Sequence, residues 1–115
     1  MSRDLKRFPA DENGDVLWNM HASGDDLSRM REMDFSVVFP SEQHALAFSS
    51  EILRAGHSVK LRRFPDQPDG LTWDVTVSTH MVPTHTQVTE LEEFLGDMAG
   101  RYGGKNDGWG CFAQD

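Results

Sequence analysis

The pattern of apolar and polar positions divides the chain into seven predicted elements. Apolar residues that alternate with polar ones, as in Leu71, Trp73, Val75 and Val77, indicate half-buried strands. Apolar residues that recur every three or four positions indicate amphipathic helices. In chain order the pattern predicts a helix over 13–22, a strand over 33–39, a helix over 42–55, a strand around Val59 and Leu61, a strand over 71–78, a helix from Thr84 to the glycines at 103 and 104, and a short strand over 109–112.

Local signals mark where several of these elements begin and end. Ser41 is a favourable N-cap for the second helix, and Gly56 suits the position just after its last turn. Thr84 and Gln87 have the spacing of a capping box at the start of the third helix. Residues 65–70 contain proline, aspartate and glycine, so they predict the turn that joins the second and third strands.

The last six elements run strand, helix, strand, strand, helix, strand. Two successive strand–helix–strand units predict an α+β fold, the ferredoxin-like split βαβ sandwich, with an antiparallel sheet and two helices on one face. The other face is expected to be open to water, because its residues are mostly polar. They are Asp34, Ser36, Val38, Lys60, Arg62, Thr72, Asp74, Thr76 and Ser78.

The first helix is additional to that sandwich. Its periodicity predicts a buried stripe at Val16, Leu17 and Met20, with Trp18 off the stripe. The pattern does not show where this helix packs.

Length and composition are consistent with one domain over 1–115. A chain of 115 residues with 37% hydrophobic positions can bury one core without a disulfide or a metal. Cys111 is the single cysteine, and we expect it to be a buried apolar residue. The sequence contains no apolar run of about 18 residues and no hydrophobic signal core, so we expect a cytoplasmic protein without a membrane partner.

The charge pattern indicates what kind of partner the protein would bind. The formal net charge is −8, which argues against direct nucleic-acid binding through phosphate neutralisation. Acids cluster without Lys or Arg over 11–26 and 84–100, whereas bases gather over 54–63. Acidic segments of this kind favour a protein partner that is rich in Lys or Arg. They also fit an ordinary solvated surface that keeps the protein soluble.

Sequence motifs for catalysis or cofactor binding are weak. His80 and His85 flank a turn but have no metal-ligand spacing, and Asp74 lies roughly 20 Å from His80 along an extended strand. The third strand lacks the aromatic pattern with which RNA-recognition motifs stack bases. We therefore expect no enzyme activity, no metal and no cofactor.

Four segments of the chain resemble a known bacterial family, the regulators of ribonuclease E activity B (RraB). These segments are residues 8–18, 31–35, 73–84 and 103–112. The final run is the most specific, and it comprises Asn106, Asp107, Gly108, Trp109, Gly110, Cys111 and Phe112. The resemblance implies a ferredoxin-like protein that inhibits ribonuclease E by binding its C-terminal scaffold region, without chemistry of its own.

The basic, Arg-rich stretches that the resemblance implies for this target agree with the acidic charge pattern. The candidate protein-binding residues are Asp11, Asp15, Asp25, Asp26, Glu90, Glu93 and Asp97. The alternative is a module that binds a small molecule or peptide on the open sheet face, around Lys60, Arg62 and Asp74.

Overall fold

A computed structural model describes residues 2–114, which form three helices and a four-stranded sheet. Each helix begins after a side chain that caps it: Asp11, Ser41 and Thr84 accept hydrogen bonds from backbone N–H groups of the first turn. The elements are α1 (Glu12–Ala22), β1 (Arg31–Phe39), α2 (Glu42–Arg54), β2 (Ser58–Arg63), β3 (Trp73–Met81), α3 (His85–Gly100) and β4 (Lys105–Cys111).

The sheet is antiparallel throughout, with the strand order β2-β3-β1-β4. Central β1 pairs with β3 from Arg31–Met81 to Phe39–Trp73, and with β4 through a register shift between Phe35 and Val37. The α+β class predicted from the sequence is confirmed. β3 begins and ends later than predicted, and β4 begins earlier, because the glycine-rich segment that precedes the predicted strand also pairs with β1.

The main core lies between one face of the sheet and helices α2 and α3. Strand β1 directs alternate side chains to this face, and Phe39 packs against Phe48 of α2 with ring centroids 4.9 Å apart. The following residues form the buried cluster of this core: Met33, Phe35, Val37, Phe39, Ala45, Phe48, Ile52, Val75, Val77, Val88, Leu95 and Ala99.

Helix α1 packs against α3 and forms a second, smaller apolar cluster. Phe8, Leu17 and Leu27 are its buried residues, and Trp18 packs against Phe8 with ring centroids 5.6 Å apart. The predicted stripe is therefore wrong in part, since Val16 is 40% exposed whereas Trp18 joins the cluster. Phe8 and Leu27 lie outside α1 in the sequence. The segments that contain them cover one face of the helix and so determine which face is buried.

Glycine at position 14 allows the chain before α1 to lie directly on the helix. A Cβ added at Gly14 would be 1.8 Å from the carbonyl oxygen of Pro9, so no side chain fits there without moving the backbone. Arg3 holds the same segment by donating to the carbonyl oxygen of Phe8 at 2.9 Å.

The open face of the sheet is covered at one end, which corrects the expectation that it is wet throughout. Val38 and Asp74 are buried, and a cavity of about 250 Å³ above them is lined by the β2–β3 loop and Asp107. Leu71 lines this cavity instead of the main core, because the strand begins only at Trp73. The Lys105 ammonium lies 3.4 Å from the Asp69 carboxylate and ties the loop to β4.

Among residues 2–114, no helix is both long enough and apolar enough to cross a membrane.

Candidate protein-binding surface

Three of the candidate acids lie together on the exposed side of α3. Glu90, Glu93 and Asp97 recur at helical spacing and are all exposed. Within the described part of the chain none of them forms an ion pair or a side-chain hydrogen bond. Their carboxylates are therefore available to a partner without breaking an internal contact.

An apolar groove runs beside these acids, between α2 and α3. It has a volume of about 440 Å³, and Ala55, Phe94 and Met98 supply its apolar lining. Phe94 is 44% exposed, a large aromatic surface left to solvent. The polar residues along the groove are Glu51, Arg54, Asp97 and Arg101. Asp97 thus belongs to both the acidic stripe and the groove wall.

The two candidate acids of the first helix region already have partners. Asp11 caps α1 by accepting from the N–H of Gly14 at 2.7 Å, and its carboxylate lies 2.8 Å from Nε2 of His85. The Gly14 hydrogen bond, followed by that of His85, lowers the pKa of Asp11. Asp15 forms an ion pair with Arg3 at 2.8 Å. A partner that engages these two carboxylates would compete with internal contacts.

Asp26 is exposed but is part of a turn. It accepts hydrogen bonds from the hydroxyl of Ser28 at 2.6 Å and from the N–H of the same residue at 3.1 Å. These bonds lower the pKa of Asp26 and keep it ionised.

Asp25 differs from the exposed carboxylate that the sequence analysis expects, because its side chain is only 3% exposed. It lies 2.7 Å from the Arg31 guanidinium, which is 1% exposed, and also accepts from the N–H of Gln114 at 3.1 Å. Burial by itself would raise the pKa of Asp25, but the hydrogen bond from Arg31 and the one from Gln114 outweigh it and lower the pKa. Asp25 therefore has a structural position, and we leave it out of the candidate surface.

The sequence run over 106–112 joins the two cores. Trp109 packs against Phe35 of the main core with centroids 6.4 Å apart, and it also contacts the smaller cluster around Phe8. Its indole N–H donates to the Asn13 side-chain oxygen at 2.9 Å. Asn13 in turn donates to Glu92 at 3.0 Å, so α1, α3 and β4 share one set of contacts.

Asn106 fixes β4 to α3 at a second point. Its side chain donates to the carbonyl oxygen of Glu92 at 2.9 Å, beside Gly96. A Cβ at Gly96 would be 2.6 Å from the Asn106 nitrogen, so a side chain there would require the Asn106 amide to move from its hydrogen bond with Glu92.

The other residues of the run are more exposed. Asp107 lines the cavity over the open face, Gly108 has a φ of +96° that favours glycine, and Gly110 pairs with Asp34. Phe112 follows β4 and is 86% exposed, so it is not part of either core.

Cys111 is half-buried, whereas the sequence analysis expects it to be buried fully. Together with Val16, Met20 and Ala113 it lines a cavity of about 420 Å³ beside α1. Burial raises the pKa of the Cys111 thiol, while the nearby Arg31 partly offsets that effect.

Several residues that shape these surfaces were not predicted from the sequence. They are Asn13, Arg31 and Glu92, whose contacts link separate elements, and the exposed Phe94 beside the acidic stripe. A polar residue in a helix gives no signal of its partners when those partners are distant in sequence. The position of Phe94 on the polar side of α3 was the one signal in the sequence that could have indicated this surface.

Among residues 2–114, no group of three or more His, Cys, Asp or Glu side chains is placed to hold a metal ion.

The sheet, the two helices that cover it and the acidic surface of α3 define a small α+β protein with a candidate surface for a protein partner. Residues 10–111 match the family model described as regulator of ribonuclease activity B, which is nearly the whole chain. The chain therefore belongs to the RraB family, and the family identifies it as a regulator of ribonuclease activity. No curated protein matches the chain.

Proposed function

We propose that this protein inhibits ribonuclease E by binding its C-terminal scaffold region through the acidic stripe and groove of α3, without chemistry of its own. The observation that carries the proposal is the position of Glu90, Glu93 and Asp97, exposed and without internal partners, beside an apolar groove. Family membership supports a partner among ribonucleases, and the resemblance found in the sequence suggests ribonuclease E in particular.

Charge supplies the first half of the recognition. A basic segment of the scaffold would meet three carboxylates on a protein whose net charge is −8, so encounter would be fast and weakened by salt. The stripe needs no internal ion pair to be broken before it binds, in contrast to Asp11 and Asp15.

The groove supplies the second half. Exposed apolar area at the centre of an interface contributes most of the affinity when charged residues surround it. An apolar side chain of the partner that contacts Phe94 and Met98 would place neighbouring Lys or Arg residues near Asp97. Bound in this way, the protein would cover or reshape a scaffold segment that the ribonuclease needs.

The strand order and the two strand–helix–strand connections support the ferredoxin-like arrangement expected from the sequence. In that arrangement α2 and α3 cover one face of the sheet, and the outer side of this helical layer faces solvent. We propose the outer side of this layer as the docking surface.

The test is calorimetric titration of the protein with the purified scaffold half of ribonuclease E, at low and at physiological salt. The variant carries Glu90→Lys, Glu93→Lys and Asp97→Lys, and the matched control carries Glu32→Lys, Glu42→Lys and Asp66→Lys. Both variants have the same net charge, and all six side chains are exposed.

We expect saturable binding that weakens as salt rises, and a loss of at least about tenfold in affinity for the α3 variant. The control should lose much less, because it changes total charge but leaves the stripe intact. Equal losses in the two variants would contradict the assigned surface. Absence of binding by the wild-type protein at both salt concentrations would contradict the proposed partner.

A further inference from the structure

A second surface of opposite charge lies at the edge of the sheet, on strand β2. This strand pairs with β3 on one side, and no other strand of the described chain pairs with its outer side. The outward N–H and C=O groups of an edge strand can pair with an added extended segment.

The edge is basic on a protein that is otherwise acidic. Lys60, Arg62 and Arg63 are exposed on β2. Within residues 2–114 none of the three lies within 4.0 Å of a carboxylate oxygen. Arg62 stacks on the ring of Phe64 at 5.5 Å and faces Asp74 in the strand register, which orients its side chain over the open face.

A polar depression lies beside the same edge. It has a volume of about 610 Å³, and Ser58, Lys60, Ser78 and His80 line it together with Glu32. Hydroxyl and ammonium groups of this kind can donate hydrogen bonds to a carboxylate. Ser58 and Ser78 are directly opposite in the β2–β3 pairing, so the depression lies over the sheet and reaches the edge strand.

The charges favour one occupant over the others. A second copy of this chain that added its own β2 would place Lys60 and Arg62 near the same bases, and the repulsion would oppose that pairing. Nucleic acid lacks the backbone N–H and C=O groups that an open strand edge selects. An extended acidic peptide satisfies both the edge and the bases.

We propose that strand β2 binds an extended acidic segment of a partner protein as a fifth strand, with carboxylates of that segment against Lys60 and Arg62. This surface is separate from the α3 stripe, so the protein would carry an acidic site and a basic site at once. A segment rich in Glu or Asp, with small β-forming residues between them, is the expected ligand.

The test uses a capped synthetic peptide of alternating Glu and Thr, about eight residues long, which is enough to span a strand. A second peptide replaces each Thr by Pro and carries an N-methyl group on each Glu; it keeps the charge but has no backbone N–H that could pair with β2. Binding is followed by amide chemical shifts and hydrogen exchange of the 115-residue protein at low salt. A short oligouridylate is titrated in parallel as a polyanion of different class.

We expect the Glu–Thr peptide to bind, to slow exchange of amides in β2 and to outcompete the proline peptide by at least about tenfold. The variant Lys60→Glu with Arg62→Glu should lose at least about tenfold in affinity, and Lys60→Glu alone should lose less. The control Lys6→Glu with Arg101→Glu has the same net charge and should lose less than about twofold. Thermal unfolding confirms that each variant is folded.

Three outcomes would overturn the proposal. The proline peptide could bind as tightly as the Glu–Thr peptide, which would mean charge attraction without an added strand. The oligouridylate could bind more tightly at the same residues, which would assign the edge to nucleic acid. The wild-type protein could show no shift in β2 at low salt with the Glu–Thr peptide.

Discussion

The main core and the cluster around α1 are held together in different ways. The main core has twelve buried residues from two strands and two helices, whereas the cluster has three: Phe8, Leu17 and Leu27. The smaller cluster buries less apolar surface, and polar contacts supply the additional interactions that hold α1 in place. The comparison shows that a short segment with little apolar surface can still be placed accurately when directional bonds fix it.

The polar contacts of the α1 region reach three separate parts of the sandwich. Asn13 connects to Trp109 and Glu92, Asp11 connects to His85, and Asp25 pairs with Arg31 at the start of β1. A hydrogen bond between neutral groups, such as the one from Trp109 to Asn13, contributes about 1 kcal/mol. Their directionality sets the orientation of α1, which a cluster of three apolar side chains would leave loosely defined.

The largest expected effect tests the main core. Phe48→Ala removes a ring that is buried against Phe39, and we expect it to lower the free energy of unfolding by about 3–5 kcal/mol. Leu53→Ala on the same helix is the control, because that side chain is 55% exposed and its loss should cost under about 1 kcal/mol. Urea denaturation followed by far-UV circular dichroism measures both values. Similar losses for the two variants would contradict the assigned core face of α2.

The buried ion pair gives a smaller, pH-dependent effect. Asp25→Asn leaves the Arg31 guanidinium buried without its counter-charge, and we expect a loss of about 3 kcal/mol near neutral pH. The pKa of Asp25 is lower in the folded protein than in the unfolded chain, so its contribution is present above the unfolded value. That contribution disappears as the pH falls through the folded value.

The difference in stability between the wild type and Asp25→Asn should therefore shrink below about pH 4. Urea denaturation at a series of pH values measures it. Asp66→Asn is the control, since that carboxylate is exposed and should show a small difference at every pH. A difference for Asp25→Asn that stays constant on acidification would show that the ion pair does not stabilise the fold.

The smallest effect separates the two regions. Trp109→Phe keeps an aromatic ring near Phe35 but removes the hydrogen bond to Asn13, which should cost about 1 kcal/mol plus lost packing area. We expect faster hydrogen exchange in α1, with β1 and β3 nearly unchanged, because only the docking of the small cluster weakens. Equal acceleration across the sheet would mean that the two regions open as one unit.

The sequence predicted the main sandwich more accurately than the surface around α1. Strand β1 and helix α2 were predicted within a few residues because each has one buried face with a clear period, and Ser41 marks the start of the helix. β4 was predicted too short, since its glycines resemble a turn when no pairing partner is in view. The buried face of α1 was predicted wrongly at Val16 because the residues that cover the helix lie outside it.

The candidate site shows the same division. The acids of α3 were identified from charge alone, and they are exposed as an amphipathic helix requires. Asp25 was grouped with them, although it is buried against Arg31. No local pattern distinguishes a carboxylate that faces water from one that meets an arginine six residues later across a turn.

By itself, the sequence determined the order and type of the elements, the face of β1 that is buried and the segregation of acidic from basic segments. These properties follow from periodicity and composition over a few neighbouring residues. Only the tertiary structure decided that Trp109 connects the two cores, that Asp25 is internal and that β2 is an open, basic edge. Each of these depends on contacts between residues far apart in the chain, which form only when the sheet and helices pack together.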